Sequence, residues 1–384
     1  MNGSSARRAL ATRVNLKLER TSMARMKDVA DRCGVAESTV SHVLNNTRYV
    51  SPKIKDRVLA AMRELNYHGN AHARRLARGA SDFLGLIISD IENPFFPGLI
   101  KAFESAALRH GFDVLLSTTN YEPQRTEKAF RKMVENKAPG VAVLTSGVDP
   151  ALAGLLESNG VASIFLDAGS VGPKRSNVRL NYAKGANEAV HYLYNLGHRD
   201  FALIAGPQNR PSHVAYREAI TAALQETDLQ PQVLDGSNDV EGGARAVQQL
   251  LTGRQFPTAI LCSNDLTAIG ALRALFRSGI RVPDDVALVG ADDIPFAELT
   301  RPPLSTVRIP REKLGELACQ VLQEMLIEKQ PGSDRLLDTE LVIRESTAGA
   351  PDGRLFLGRF EHNRQRAPEE IRLHRAIEGP RAKP

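Results

Sequence analysis

Glu37, Ser38 and His42 fall on the outward face near the start of a short helical segment, Glu37–Asn45. The chemistry open to them is hydrogen bonding to an edge that passes in front of the helix. A carboxylate cannot face phosphate or the acceptors of guanine, but it accepts a hydrogen bond from cytosine N4. The same charge in a first helical turn also complements the helix dipole, and both readings of Glu37 stand. Lys53, Lys55 and Arg57 follow on a separate helical segment, suited to phosphate contacts that position a protein without specifying sequence.

The elements that must hold these side chains are legible around them. Lys27–Cys33 has helical spacing and stops at Gly34, a residue free to take a left-handed C-terminal conformation. Three residues later Glu37–Asn45 opens, with Val40, Val43 and Leu44 on one face. Two helices joined by a tight turn containing glycine form a helix-turn-helix, whose second helix enters the major groove. Ala30 supplies the small residue that crossing helices need. A third helix opens with Ser51 as N-cap and Pro52 at the first helical position. Its Ile54, Val58, Met62 and Leu65 make a stripe that closes a small core.

Charge is divided along the chain. Residues 24–80 hold eleven Lys or Arg against five Asp or Glu, and both chain ends are also basic. The formal total is only +6, so residues 81–350 carry a net charge of −7. Positive charge thus sits where it can neutralise phosphates, while the middle is acidic.

That middle has room for a sizeable core: 384 residues with 42% apolar composition exceed one ordinary domain. Short apolar strands alternate with amphipathic helices: Phe83–Ser89, Asp113–Thr118, Val141–Thr145, Ala162–Asp167, Phe201–Ala205, Thr258–Cys262 and Val286–Gly290. Such alternation predicts parallel, doubly wound sheets, and a split near Asn177–Tyr182 predicts two lobes. The fold class is therefore α/β, a small all-α helix-turn-helix head joined to a two-lobed doubly wound parallel-sheet core. No run approaches the ~18 apolar residues of a membrane span, and no secretory signal is expected. Three scattered cysteines, Cys33, Cys262 and Cys319, fit a reducing cytoplasm. No metal-ligand clustering or phosphate-loop glycine pattern is present, so neither metal nor cofactor is expected.

Motifs in order then define a resemblance. Lys27-Asp28-Val29-Ala30, Gly34-Val35, Ser38 through Asn45, Val50-Ser51 and Leu65-Asn66-Tyr67 are followed by Asn93-Pro94-Phe95-Phe96 and Leu196-Gly197-His198-Arg199. Asn264-Asp265, Val289-Gly290, Asp292-Asp293, Pro303-Leu304-Ser305-Thr306 and Ile343 through Thr347 complete the series. From about Met26 to Thr347 the chain resembles the lactose-repressor (LacI/GalR) family of bacterial transcription regulators. The resemblance implies a cytoplasmic homodimer that represses transcription from a palindromic double-stranded DNA operator. It also implies a periplasmic-binding-protein type of core, crossovers near residues 180 and 307, and an effector in the cleft.

The implied organisation is a basic tail over 1–25, the helix-turn-helix over 26–67, a hinge helix and linker over 68–80, the effector-binding and dimerisation core over 81–350, and a basic tail over 351–384. Both tails are expected to be disordered. Carried over by position, the DNA-binding residues are Glu37, Ser38, Thr39, His42, Asn45, Lys53, Asn70, Arg74 and Leu76. Leu76 matches the apolar wedge that enters the minor groove and kinks the duplex; a flexible basic linker is the other reading of this segment. Ala36 replaces the family's capping serine, a loss of about 0.5–2 kcal/mol, and Gly69 replaces a proline.

The effector residues implied are Asn93, Phe95, Phe96, Asp167, Asn264 and Asp292, suited to a carbohydrate; lobe packing is the other reading of Asn93, Phe95 and Phe96. Ser212, Ser237 and Ala291 stand where the family commonly has an arginine and aromatic residues, with Arg210 two residues before Ser212. Three readings of control stay open: a sugar or sugar-like effector, a protein partner, and no small-molecule effector at all. An enzyme is not expected, since no nucleophile, acid–base pair or metal set is apparent.

Overall fold

The computed structural model describes residues 24–45, 48–67, 81–145, 147–167, 170–253 and 255–350. The chain divides into two units, Met1–Ala80 and Ser81–Pro384. The expected hinge, with Asn70, Arg74 and Leu76, lies outside the described residues, as do residues 1–23 and the tail from 351.

In the first unit, α1 (Met26–Cys33), α2 (Glu37–Asn45) and α3 (Pro52–Glu64) enclose one small apolar cluster. Gly34 caps α1 in the left-handed region at φ 61°, and the Val35 amide returns to the Ala30 carbonyl at 3.1 Å. That closure fixes the turn and admits α2 at the required angle. Val29, Val40 and Val58 are fully buried, one from each helix, and Ala30 sits beneath them. Ser51 holds the N-cap position of α3 but its side chain makes no capping hydrogen bond; Pro52 alone carries that helix start.

The second unit holds two parallel sheets. The first runs β11-β5-β4-β3-β1-β2, built from β1 (Phe83–Ile88), β2 (Asp113–Thr118), β3 (Gly140–Leu144), β4 (Ala162–Leu166), β5 (Arg175–Asn181) and β11 (Asp334–Asp338). The second runs β12-β10-β9-β8-β6-β7, from β6 (Phe201–Ala205), β7 (Gln232–Asp235), β8 (Ala259–Cys262), β9 (Ala287–Asp292), β10 (Ser305–Arg308) and β12 (Glu340–Val342). Only β12 pairs antiparallel. The helices of the first lobe are α4 (Phe95–Arg109), α5 (Pro123–Glu135), α6 (Pro150–Ser158) and α11 (Arg311–Leu326). Those of the second are α7 (Tyr182–Asn195), α8 (Pro211–Gln225), α9 (Val240–Thr252) and α10 (Asp265–Arg277). Proline at the first helical position and an Asp or Asn cap recur at their starts: Asp149 accepts from Ala151 N, Asp239 from Gly242 N and Asn264 from Thr267 N.

Both sheets share the order of strands 2-1-3-4-5, so each has a crevice outside the carboxyl ends of its strands. The seven strands read from the sequence all form, each within two residues of its expected start and finish. Five more, β5, β7, β10, β11 and β12, join them; β5 and β10 are built largely of polar residues and β7, β11 and β12 are mostly partly buried or exposed, so none shows a continuous apolar run.

The chain passes between lobes three times rather than twice: at Asn181–Tyr182, between β10 and α11, and again at Thr339. The third passage is tied to the first. Thr339 is fully buried; its hydroxyl donates to the Asn181 carbonyl at 2.7 Å and accepts from the Gly185 amide at 3.1 Å. A Cβ at Gly185 would stand 2.5 Å from both Thr339 Oγ1 and Val307 Cγ1, so glycine is what lets the three passages pack together.

Candidate functional site

Two surfaces carry chemistry, one in each unit. On the head, burial of Val40 turns the opposite side of α2 outward, leaving Glu37 and Ser38 exposed and Thr39 and His42 half-buried. Ser38 and His42 are one helical turn apart on the same face. Asn45 ends that helix, but its side chain lies outside the described residues. Lys53, Lys55 and Arg57 are exposed along α3. Tyr49 was not singled out from sequence, yet its ring is 86% exposed and lines a recess with His42, Arg48 and Lys55. The available signal was an aromatic residue directly after Arg48 in a basic head.

In the second unit, a cleft of about 100 Å³ between the lobes is lined by residues at the carboxyl ends of the strands. The first lobe contributes Ser89 after β1, Asn93, Phe95 and Phe96 at the start of α4, and Tyr121 after β2. The second contributes Ser212, His213 and Tyr216 from α8, Asn238 after β7, Ser263 after β8, and Ala291 and Asp292 ending β9. Tyr182, Val307, Ile309 and Thr339 line its base at the passages between lobes.

Of the six residues expected here, Asn93, Phe95, Phe96 and Asp292 line the cleft. Asn93 also caps inward, accepting from the Phe95 amide at 3.0 Å, and the two Phe rings meet edge to face at 5.2 Å. Asp167 and Asn264 do not line it. Asp167 accepts from the Leu180 amide and the Tyr182 hydroxyl, at 3.0 and 2.9 Å, and so orients a ring that does line the cleft. Asn264 is engaged in capping α10 and donates to the Asn238 carbonyl. Among the three departures noted from sequence, Ser212 and Ala291 line the cleft, while the Ser237 hydroxyl accepts from Arg245 at 3.0 Å outside it.

Hydrogen-bond accounting separates structure from opportunity. Ser89 is bonded to Thr145 at 2.8 Å. The Tyr216 hydroxyl, Ser263 Oγ and Asn238 Oδ1 are buried and have no partner among the described residues. Buried polar atoms left unpaired cost roughly 1–3 kcal/mol each, so three around one cleft mark places for a ligand or its waters.

Charge in the cleft is set by buried acids. Asp265 lies fully buried beneath β9, accepting from the Thr306 hydroxyl at 2.6 Å and the Ile294 amide at 2.8 Å. Burial pushes its carboxyl up to about 7 against those bonds. Burial, reinforced by Asp265, also raises Asp292 well above the carboxylate range, with Arg311 opposing. Burial, with Arg210 nearby, lowers His213 to about 4, so its ring is neutral at pH 7. Asp293 behaves oppositely: burial acts to raise it, but hydrogen bonds from Arg344 and Arg308 hold it below its usual value.

Two arginines tie the lobes. The Arg210 guanidinium, leading into α8, lies 3.5 Å from the centre of the Tyr121 ring. Arg311 at the start of α11 donates to the carbonyls of Asp292 and Asp293, at a turn where both residues have positive φ, 101° and 55°.

Comparison with known proteins then decides the family. Residues 25–70 match the bacterial regulatory proteins of the lacI family, and residues 190–347 match a periplasmic binding protein-like domain. The HTH-type transcriptional repressor PurR of Erwinia tasmaniensis is 34% identical over 339 residues, spanning 86% of this chain and 98% of that one. The chain belongs to the lacI family. Its fold follows a crystal structure of the lac repressor dimer bound to operator and the anti-inducer ONPF, at 28% identity and a TM-score of 0.76, over 85% of this chain and 99% of that one. The transcriptional regulator CelR–cellobiose complex superposes with a TM-score of 0.63 at 28% identity, over 84% and 99% of the two chains. Among this lacI-family chain's described residues, no helix is long and apolar enough to cross a membrane, and no three side chains are grouped to hold a metal ion.

Proposed function

We propose that this protein is a cytoplasmic, sequence-specific transcriptional repressor that binds a palindromic DNA operator as a homodimer. Its operator affinity is set by a small sugar or sugar-like molecule held in the interlobe cleft. Glu37, Ser38, Thr39, His42 and Asn45 read base edges from α2, Lys53 holds phosphate, and Asn70, Arg74 and Leu76 act from the hinge. Asn93, Phe95, Phe96 and Asp292 contact the effector, while Asp167 and Asn264 position its neighbours. The cleft binds and does not catalyse.

One observation carries the effector half of this reading: three buried, unpaired polar atoms, Tyr216 Oη, Ser263 Oγ and Asn238 Oδ1, surround one cleft. Control by a protein partner would leave those atoms unexplained. The lac repressor dimer on its operator and the CelR–cellobiose complex supply the precedents for dimer, operator and saccharide. A ligand that prefers one lobe arrangement shifts the pair of heads and so changes operator affinity by a few kcal/mol.

Selection of bound duplexes from a randomised DNA library tests the DNA half. Enrichment of a two-fold symmetric site, with half-sites about one helical turn apart, is expected. Enrichment of an asymmetric site, or none, refutes it.

A further inference from the structure

Which ligand the cleft takes can be narrowed from the charge and hydrogen-bond capacity of its walls, an inference that rests on the proposed effector-binding reading. Asp292 is the one fully ionisable group of either strong sign that lines the cleft among the described residues. Among the described residues no donor bonds its carboxylate, and Arg311 acts on it only through its charge. The nearby cations are already engaged: Arg210 covers the Tyr121 ring, and Arg311 bonds the carbonyls of Asp292 and Asp293. Among the described residues no lysine or arginine lines the space, and His213 is neutral. An anionic ligand, whether phosphate ester or carboxylate, would find no cation lining the cleft to bond it directly and would face Asp292.

The unpaired atoms point the same way. Asn238 Oδ1 can only accept, as can Asp292 once it is ionised, and the Tyr216 and Ser263 hydroxyls can accept as well as donate. Tyr216 and Ser263 are only 4% and 7% exposed, and neither oxygen has a partner among the described residues. A ligand hydroxyl brings acceptors of its own with each proton it donates. An ammonium brings donors only. Five aromatic rings border the same space, Phe95, Phe96, Tyr121, Tyr182 and Tyr216, and ring faces attract a desolvated cation.

We infer that the cleft is built for a small hydroxylated amine, bound as its ammonium against Asp292 and the surrounding rings, and that it rejects anionic ligands. Burial and Asp265 disfavour the ionised Asp292 in the empty cleft, outweighing Arg311; a bound ammonium adds a direct hydrogen-bonding partner. The hydroxyl groups of the ligand satisfy Tyr216, Ser263 and Asn238.

Thermal-shift and calorimetric titration of the full chain tests this, using hydroxylated compounds in matched sets: each amine with its alcohol, its N-acetyl form and its phosphate ester. Glucosamine, glucose, N-acetylglucosamine and glucosamine 6-phosphate form one such set. Amines are expected to bind about tenfold or more tighter than their matched alcohols and N-acetyl forms. Asp292→Asn is expected to remove that preference while an unchanged melting temperature shows the fold intact. The inference is overturned when neutral or anionic members bind as well as the amines, when no amine binds, or when Asp292→Asn keeps the preference. Binding by a neutral sugar alone would refute the amine and leave the effector-binding reading standing; absence of any ligand-dependent shift would refute both. Operator binding by the unliganded protein is measured separately and does not depend on either.

Discussion

Arg210 and Tyr121 belong to different lobes, and the guanidinium of one lies 3.5 Å from the ring centre of the other. Tyr121 holds φ at 60°, a conformation that costs energy for a bulky side chain, and burial pushes its phenol up. The pair therefore joins the lobes at the edge of the cleft. A cation over an aromatic face contributes about 0.5–2 kcal/mol. Arg210→Ala should weaken effector binding by roughly twofold to thirtyfold. It should also expand the ligand-bound form in small-angle scattering. Unchanged affinity and dimensions would show that the lobes close without this contact.

Asp265 should make stability depend on pH in an unusual direction. Its carboxyl is raised from 3.8 to about 7 in the folded protein. Between those values the unfolded chain has released the proton while the folded chain retains it, so stability falls as pH rises. Below 3.8 both states hold the proton and the penalty vanishes. Asp265→Asn should therefore melt at a temperature that varies less between pH 4 and 7 than the parent's. Parallel curves over that range would contradict the assignment.

Glu37 offers a direct choice between its two roles. If its carboxylate accepts from cytosine N4, Glu37→Gln relaxes the preference at one base pair of each half-site by about 1–3 kcal/mol. If it only complements the helix dipole, the variant loses about 0.3–1 kcal/mol of stability and keeps its base preference. The first outcome is expected, read by competition among duplexes that differ at single positions.

Glycines at helix contacts should tolerate substitution according to the space beside them. A Cβ at Gly243 would lie 1.9 Å from the Thr267 carbonyl oxygen, and one at Gly270 would lie 1.9 Å from that of Val240. Alanine at either should force α9 and α10 apart and cost about 1–3 kcal/mol or more. Gly154 in α6 has nothing within 4 Å of its added Cβ. Gly154→Ala should instead stabilise by about 0.4–1 kcal/mol. Denaturant midpoints order the variants, and equal midpoints would contradict this packing.

The helix-turn-helix was legible because its determinants are local: Gly34 ends α1, Pro52 starts α3, and Val40 turns Glu37 and Ser38 outward. Inner strands were legible as continuous apolar runs, whereas β5 buries Ser176 and Asn177 and β11 is largely exposed, so neither gave such a signal. The cleft was legible by residue type but not by use. Asp167 and Asn264 have the chemistry of ligand-binding residues, yet the oxygens of Asp167 accept from Leu180 and Tyr182, and that of Asn264 caps α10. Tyr216, Ser263 and Asn238 went unnoticed because a missing partner shows only once the neighbours are in place. The third passage between lobes, at Thr339, depends on a residue that no local pattern distinguishes.

The central claim is that the cleft controls the head. Its most direct test is fluorescence anisotropy titration of the full chain onto its selected operator duplex, with and without a cleft-binding compound. The account predicts that saturating compound changes operator affinity by about tenfold or more, and that Asp292→Ala abolishes the change while leaving unliganded operator binding intact. An operator affinity identical with and without bound compound would contradict it.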